Sequence, residues 1–231
     1  MVPENVFLFF CLFGGIVAVD NETTWQTLIS QPFFACSVAG YLFGDIGLGW
    51  TIGVLLQLPF LVELPTGGSK MSYNHTAAYV ASGVALSLNR ILPDQELQIL
   101  LCAVVYSLFI SWAGVWITRM HHRFNLGLQH SADKAAIAGN TRKITVLNYL
   151  SAGVVFIVGV CISGILFWVG LLLIKPLFTD SGLIRGLRLN YLMPVLYGAG
   201  VGSIFYLYSK RRLLGFSLLG ILIGALILFN L

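Results

Sequence analysis

The chain has 231 residues, of which 58% are hydrophobic and only 10% charged, with a formal net charge of +4. Soluble domains carry roughly 25% charged residues, so this composition cannot cover a water-facing surface. Apolar runs recur from Val6 to Leu231 and are continuous instead of alternating, which excludes a β-barrel. What remains is an all-α polytopic membrane protein, read as a single membrane-embedded domain over 1–231.

The opening "MVPENVFLFF" carries Glu4 and no basic residue, so a cleaved secretory signal is not expected. The run 6–19 is short, and 33–43 is shorter and ends at Gly44-Asp45. Residues 46–62 contain Gln57 and Pro59; "ELPTGGSKMSYNHT" follows, then another short run over 77–88. At 1.5 Å per residue, several of these pieces cannot cross about 30 Å of hydrocarbon alone. Short apolar segments interrupted by Gly and Pro predict broken or re-entrant helices, tolerated at membrane depth only where they are buried or line a wet cavity. Region 1–92 is therefore the irregular half.

Full-length spans follow over 96–231, namely 96–117, 146–178, 191–209 and 213–231. The run 146–178 exceeds one crossing and is read as a single tilted or bent pass. No Lys or Arg precedes Lys70, whereas Arg119, Arg123, Lys134, Arg142 and Lys143 crowd a polar loop, 119–143. Lys210, Arg211 and Arg212 form a second cluster. Positive-inside bias places both clusters in the cytoplasm and 179–190 outside, with Arg185 and Arg188 against the trend. These are topology signals, and no nucleic-acid partner is expected. Cys11, Cys36, Cys102 and Cys161 lie within apolar runs without CxxC spacing, as packing residues do.

Ionisable groups inside apolar sequence are expensive and mark candidate sites. Asp45 fits a cap on the helix beginning at Ile46, the preferred reading, or an intramembrane ligand. Gln57, Glu63, Asn74 and His75 offer amide, carboxylate and imidazole groups of the kind that orient hydroxyl-rich solutes; an exposed loop is the competing reading for Glu63 and its neighbours. His121, His122, His130 and Asp133 lack a third ligand at metal spacing, so no metal and no cofactor is expected. Nucleophile and phosphate-loop motifs are absent from the sequence.

One polar stretch, "LQHSADKAAIAGN" over 128–140, reads as a short Ala-rich helix stopped by Gly139-Asn140, with His130, Asp133 and Lys134 on one face. It resembles the "H-x-A-D-K-A-A-x-x-G-N" run of enzyme IIC membrane subunits in the mannose/sorbose family of the sugar phosphotransferase system. "QPFFACSVAGYLFGDIGLGWTIGVLLQL" over 31–58 and "NYLMPVLYGAG" over 190–200 are similar to further stretches of that family, in the same order. Gln57 stands where family members often have an acidic residue.

The resemblance implies a sugar-translocating IIC subunit in a bacterial cytoplasmic membrane, multi-pass and expected to be oligomeric. It implies a IID membrane partner, cytoplasmic IIB and IIA phosphocarriers, and a hexose-type sugar. IIB's phosphohistidine would phosphorylate the sugar, so no phosphoryl-carrying residue is expected in this chain. Gln57, Glu63, Asn74 and His75 form the expected sugar-facing set. Arg119, His121, His122, Arg123, His130, Asp133 and Lys134 form the expected partner-docking surface, a headgroup-lying linker being the plainer reading of that stretch. Two other functional readings are a non-transporting IIC homologue that senses its partners, and a small intramembrane enzyme using His121, His122 and His130.

Overall fold

The computed structural model describes residues 2–23, 27–60, 73–179, 189 and 192–207, and among these every regular element is helical. The order is α1 (Glu4–Glu22), α2 (Pro32–Phe43), α3 (Ile46–Phe60), α4 (Asn74–Asn89), a 3₁₀ turn (Pro93–Gln95), α5 (Glu96–Ile137), α6 (Thr141–Thr179) and α7 (Leu192–Leu207). Three segments are long and apolar enough to cross a membrane: Glu4–Glu22, Pro93–Ile137 and Thr141–Phe178. α2 and α3, of 12 and 15 residues, are not; they reach only ~18 and ~22 Å.

α2 and α3 form a tight helical hairpin. Pro32 opens α2, where its missing N–H costs nothing, and Gly44 ends it in the left-handed region at φ 82°. Asp45 N–H then donates to Gly40 O at 2.8 Å, and Asp45 Oδ1 accepts Leu48 N–H at 3.0 Å. Asp45 is thus a helix cap, as preferred, and its other oxygen faces Asn89 Nδ2 at 3.5 Å. The two backbones touch through small residues: a Cβ on Gly49 would lie 2.5 Å from Cys36 O, and one on Gly53 2.7 Å from Pro32 O. Close approach through small residues is how apolar helices associate where lipid offers no hydrophobic drive.

α4 is the hub. Nearly all of it is buried, and α1, α2, α3, α5 and α6 pack around it. Its Ala, Ser and Gly residues admit neighbouring rings; a Cβ on Gly83 would sit 2.5 Å from the Phe10 ring. Phe10 stacks on Tyr79 at 4.5 Å and meets Phe43 edge-on at 5.6 Å. The Tyr79 hydroxyl donates to Phe10 O at 2.8 Å, so its polar tip is satisfied inside the core. Outward, Leu8, Val105, Phe109, Trp112, Trp116, Ile165 and Leu172 are exposed, a belt suited to lipid.

The second half differs from the sequence expectation. The segment 119–143, expected as a polar loop holding a separate short helix over 128–138, is the far part of α5, a turn, and the start of α6. α5 and α6 run 42 and 39 residues without a break, ~63 and ~58 Å, about twice the hydrocarbon thickness. The Ala-rich end of this stretch has high helix propensity and the stretch holds no proline, so nothing stops α5 before Gly139. There Gly139 takes φ 67°, Gly139 N–H donates to Ala136 O at 3.0 Å, and Asn140 N–H to Ala135 O at 2.8 Å. Asn140 Oδ1 accepts Lys143 N–H at 3.0 Å, so the same dipeptide stops one helix and starts the next. The run 146–178 lies within one helix, in keeping with a single pass. α7 packs on α3, a Cβ on Gly200 meeting Leu58 at 2.6 Å. The expected span 213–231 and the basic cluster Lys210 to Arg212 lie outside the described residues, as do Lys70, Arg185 and Arg188.

Candidate functional site

Polar side chains gather where the end of α1, residues 27–31, the end of α3 and the start of α4 meet, with the middle of α5 alongside. Asp20, in the last turn of α1, is fully buried. Its Oδ1 accepts Thr27 N–H at 2.9 Å and the Thr27 hydroxyl at 2.7 Å, and its Oδ2 accepts Ser30 N–H at 2.9 Å. The carboxylate therefore folds residues 27–30 into the turn that delivers the chain to α2.

From that turn two contacts reach across. Ser30 O lies 3.0 Å from His75 Nδ1. A carbonyl only accepts, so Nδ1 carries the proton and Nε2 is left as the acceptor atom of the ring. The next residue, Gln31, takes the Gln57 Nε2 amide on its Oε1 at 2.8 Å, while Gln57 Oε1 lies 3.4 Å from Phe33 N–H. Asn74 Oδ1 accepts the Ser111 hydroxyl of α5. Beside it Tyr73 packs against Gly114, where an added Cβ would collide with the Tyr73 side chain.

A second polar chain leaves this end. Glu22 Oε2 meets His121 Nδ1 at 3.1 Å, with both side chains nearly buried. His121 Nε2 faces Asn125 Nδ2 at 3.2 Å, and Asn125 Oδ1 accepts Ser151 Oγ at 2.9 Å. A neutral imidazole satisfies both contacts, donating from Nδ1 to the carboxylate and accepting at Nε2. α1, α5 and α6 are so joined at the root of the long hairpin.

Of the expected sugar-facing residues, Gln57, Asn74 and His75 fall at this one end of the bundle, and Glu63 lies outside the described residues. Gln57 and His75 are linked through Ser30-Gln31. Of the expected docking residues, Arg119, His122, Arg123, His130, Asp133 and Lys134 are exposed on α5. Arg119 lies over the Trp116 ring, 5.4 Å from its centroid. His121 differs from the others of that set in being turned inward by its pairing with Glu22. Sequence reasoning missed Asp20, Glu22 and Gln31. Asp20 closes an apolar run just before "NETTWQT"; its signal was an acid within one turn of membrane-like sequence.

The donors and acceptors at this end are amides, an imidazole and carboxylates inside apolar walls, a set suited to orienting a hydroxyl-bearing solute. A solved structure described only as a membrane protein superposes with a TM-score of 0.72 at 19% identity, over 97% of this chain and 88% of that one, a likeness of fold. A sorbose-specific EIIC component from Klebsiella pneumoniae is 28% identical over 149 residues, covering 64% of this chain. That match spans 51% of the relative's length. The family model for sorbose-specific IIC components of the phosphotransferase system matches residues 6–231. This multi-pass membrane chain belongs to that family.

Proposed function

We propose that the chain is the sugar-translocating subunit of a mannose/sorbose-type permease, binding a hexose-type sugar where Gln31, Gln57, Asn74 and His75 meet, with Glu63 as the carboxylate of the same set. The observation that carries this reading is the pair of contacts made by consecutive residues: Ser30 O to His75 and Gln31 to Gln57 at 2.8 Å. Together they hold an amide from α3 and an imidazole from α4 against the segment that leads into α2, at one polar end, as selection among sugar hydroxyls requires.

A IID subunit accompanies the chain in a bacterial cytoplasmic membrane. A cytoplasmic IIB carrier, recharged by IIA, docks on the far part of the α5–α6 hairpin through Arg123, His130, Asp133 and Lys134. Phosphorylation by the carrier's phosphohistidine traps the sugar, because a phosphate of about two negative charges does not return to a site shaped for a neutral solute. The sorbose named for the relative makes L-sorbose the first sugar to test.

The purified full chain, with its IID partner in lipid nanodiscs, is titrated with L-sorbose, D-fructose, D-mannose and N-acetylglucosamine. Binding of one of them is expected, weakened about tenfold or more by Gln57→Ala and by His75→Ala, as for the loss of one to two buried hydrogen bonds. Melting temperatures should stay at the parental value. Undiminished affinity in both variants places the sugar elsewhere and ends this assignment.

A further inference from the structure

We infer that Asp20 is a positioning residue for sugar recognition: its carboxylate sets the turn at residues 27–30, and through that turn fixes the Gln31–Gln57 amide pair and the His75 ring. The inference rests on the sugar-site reading above. Among the described residues no other acidic side chain is fully buried. Its donors, from Thr27 and Ser30, come from one four-residue segment, so the carboxylate shapes a turn and does not staple two helices together. The consequence lies outside its own contacts, because Ser30 O faces His75 at 3.0 Å and the adjoining Gln31 holds Gln57 at 2.8 Å.

The chemistry also selects an acid. Two backbone N–H groups point at different carboxylate oxygens, and a backbone N–H cannot become an acceptor. An Asn in the same place keeps the volume but must turn its NH₂ toward one of those two donors, whichever way the amide is oriented. The turn then opens at Thr27 or at Ser30, and the sugar-facing groups lose their register while the helices keep their packing.

The test uses the full chain with its partner subunit in nanodiscs and the same four sugars, with Asp20→Asn, Gln57→Ala, the double variant, and Thr27→Val. Asp20→Asn is expected to weaken binding roughly tenfold, the factor that goes with one lost buried hydrogen bond, at an unchanged melting temperature. In the Gln57→Ala background the same change should cost less than about threefold, since residues acting through one another are not additive. A purely structural role gives the opposite pattern, a lowered melting temperature and effects that multiply. Should Asp20→Asn fail to fold, Thr27→Val removes one donor at an exposed position and is expected to weaken binding about twofold to threefold; parental affinity there overturns the inference.

Parental affinity in folded Asp20→Asn, with Gln57→Ala weakened, defeats the positioning role and leaves the sugar site standing. Parental affinity in Gln57→Ala, or no binding of any of the four sugars by the unaltered protein, removes the sugar-site reading and this inference with it.

Discussion

The α2–α3 and α5–α6 hairpins turn on nearly the same two residues and do opposite things. Gly44-Asp45 and Gly139-Asn140 each place a glycine in the left-handed region, hand the next N–H back five residues, and cap the following helix with a short polar side chain. Yet one hairpin joins helices of 12 and 15 residues packed backbone to backbone inside the bundle, and the other joins helices of 42 and 39 residues that run past it. The turn is a local property, and depth is not. Glycines at the helix contact pull α2 and α3 together, whereas Gly127 in the far part of α5 has open space around it. Small residues therefore mark close packing only where a neighbour is present to use them.

The largest test of this contrast is Gly49→Leu. A side chain there collides with the Cys36 carbonyl, and overpacking of about 3 kcal/mol or more is expected, seen as loss of folded, monodisperse protein after extraction. Next comes the long hairpin's outer face. Reversing Arg123 and Lys134 to Glu should lower IIB-dependent sugar phosphorylation about tenfold, ~1.4 kcal/mol, at unchanged sugar affinity; a normal rate would strip the hairpin of its docking role.

The two caps sharpen the comparison further. Asp45→Ala and Asn140→Ala should each cost about 1 kcal/mol by thermal unfolding, with Asp45 the larger because its second oxygen also faces the Asn89 amide. Equal or reversed effects would mean that burial adds nothing to the turn. The smallest effect is a gain. Gly127→Ala adds a methyl to an open helix face and should stabilise by up to ~1 kcal/mol, whereas the same change at Gly49 destabilises.

The candidate site was legible in part, and for definite reasons. Gln57, Asn74 and His75 could be named because polar groups amid apolar sequence are costly, and all three lie at one end of the bundle. Asp20 and Gln31 were overlooked because each borders a polar segment, where a charge or amide looks ordinary. Only the fold shows that Asp20 is sealed from solvent while its neighbour Thr27 stays exposed. His121 shows the converse: helical spacing puts it on a basic stretch, but Glu22, some hundred residues earlier, draws it inward.

Composition and run length alone determined that this chain lives in a membrane, that its elements are helices, and that the segments now seen as α2 and α3 are too short to cross by themselves. Those follow from the cost of unpaired backbone in lipid and from 1.5 Å of rise per residue, which need no knowledge of neighbours. The two Gly-polar turns were equally local. Tertiary structure alone decided that α4 is the buried hub and which carboxylate faces which donor. Hydrogen bonds between residues far apart in sequence depend on how helices pack, and packing is settled by contacts that no single segment encodes.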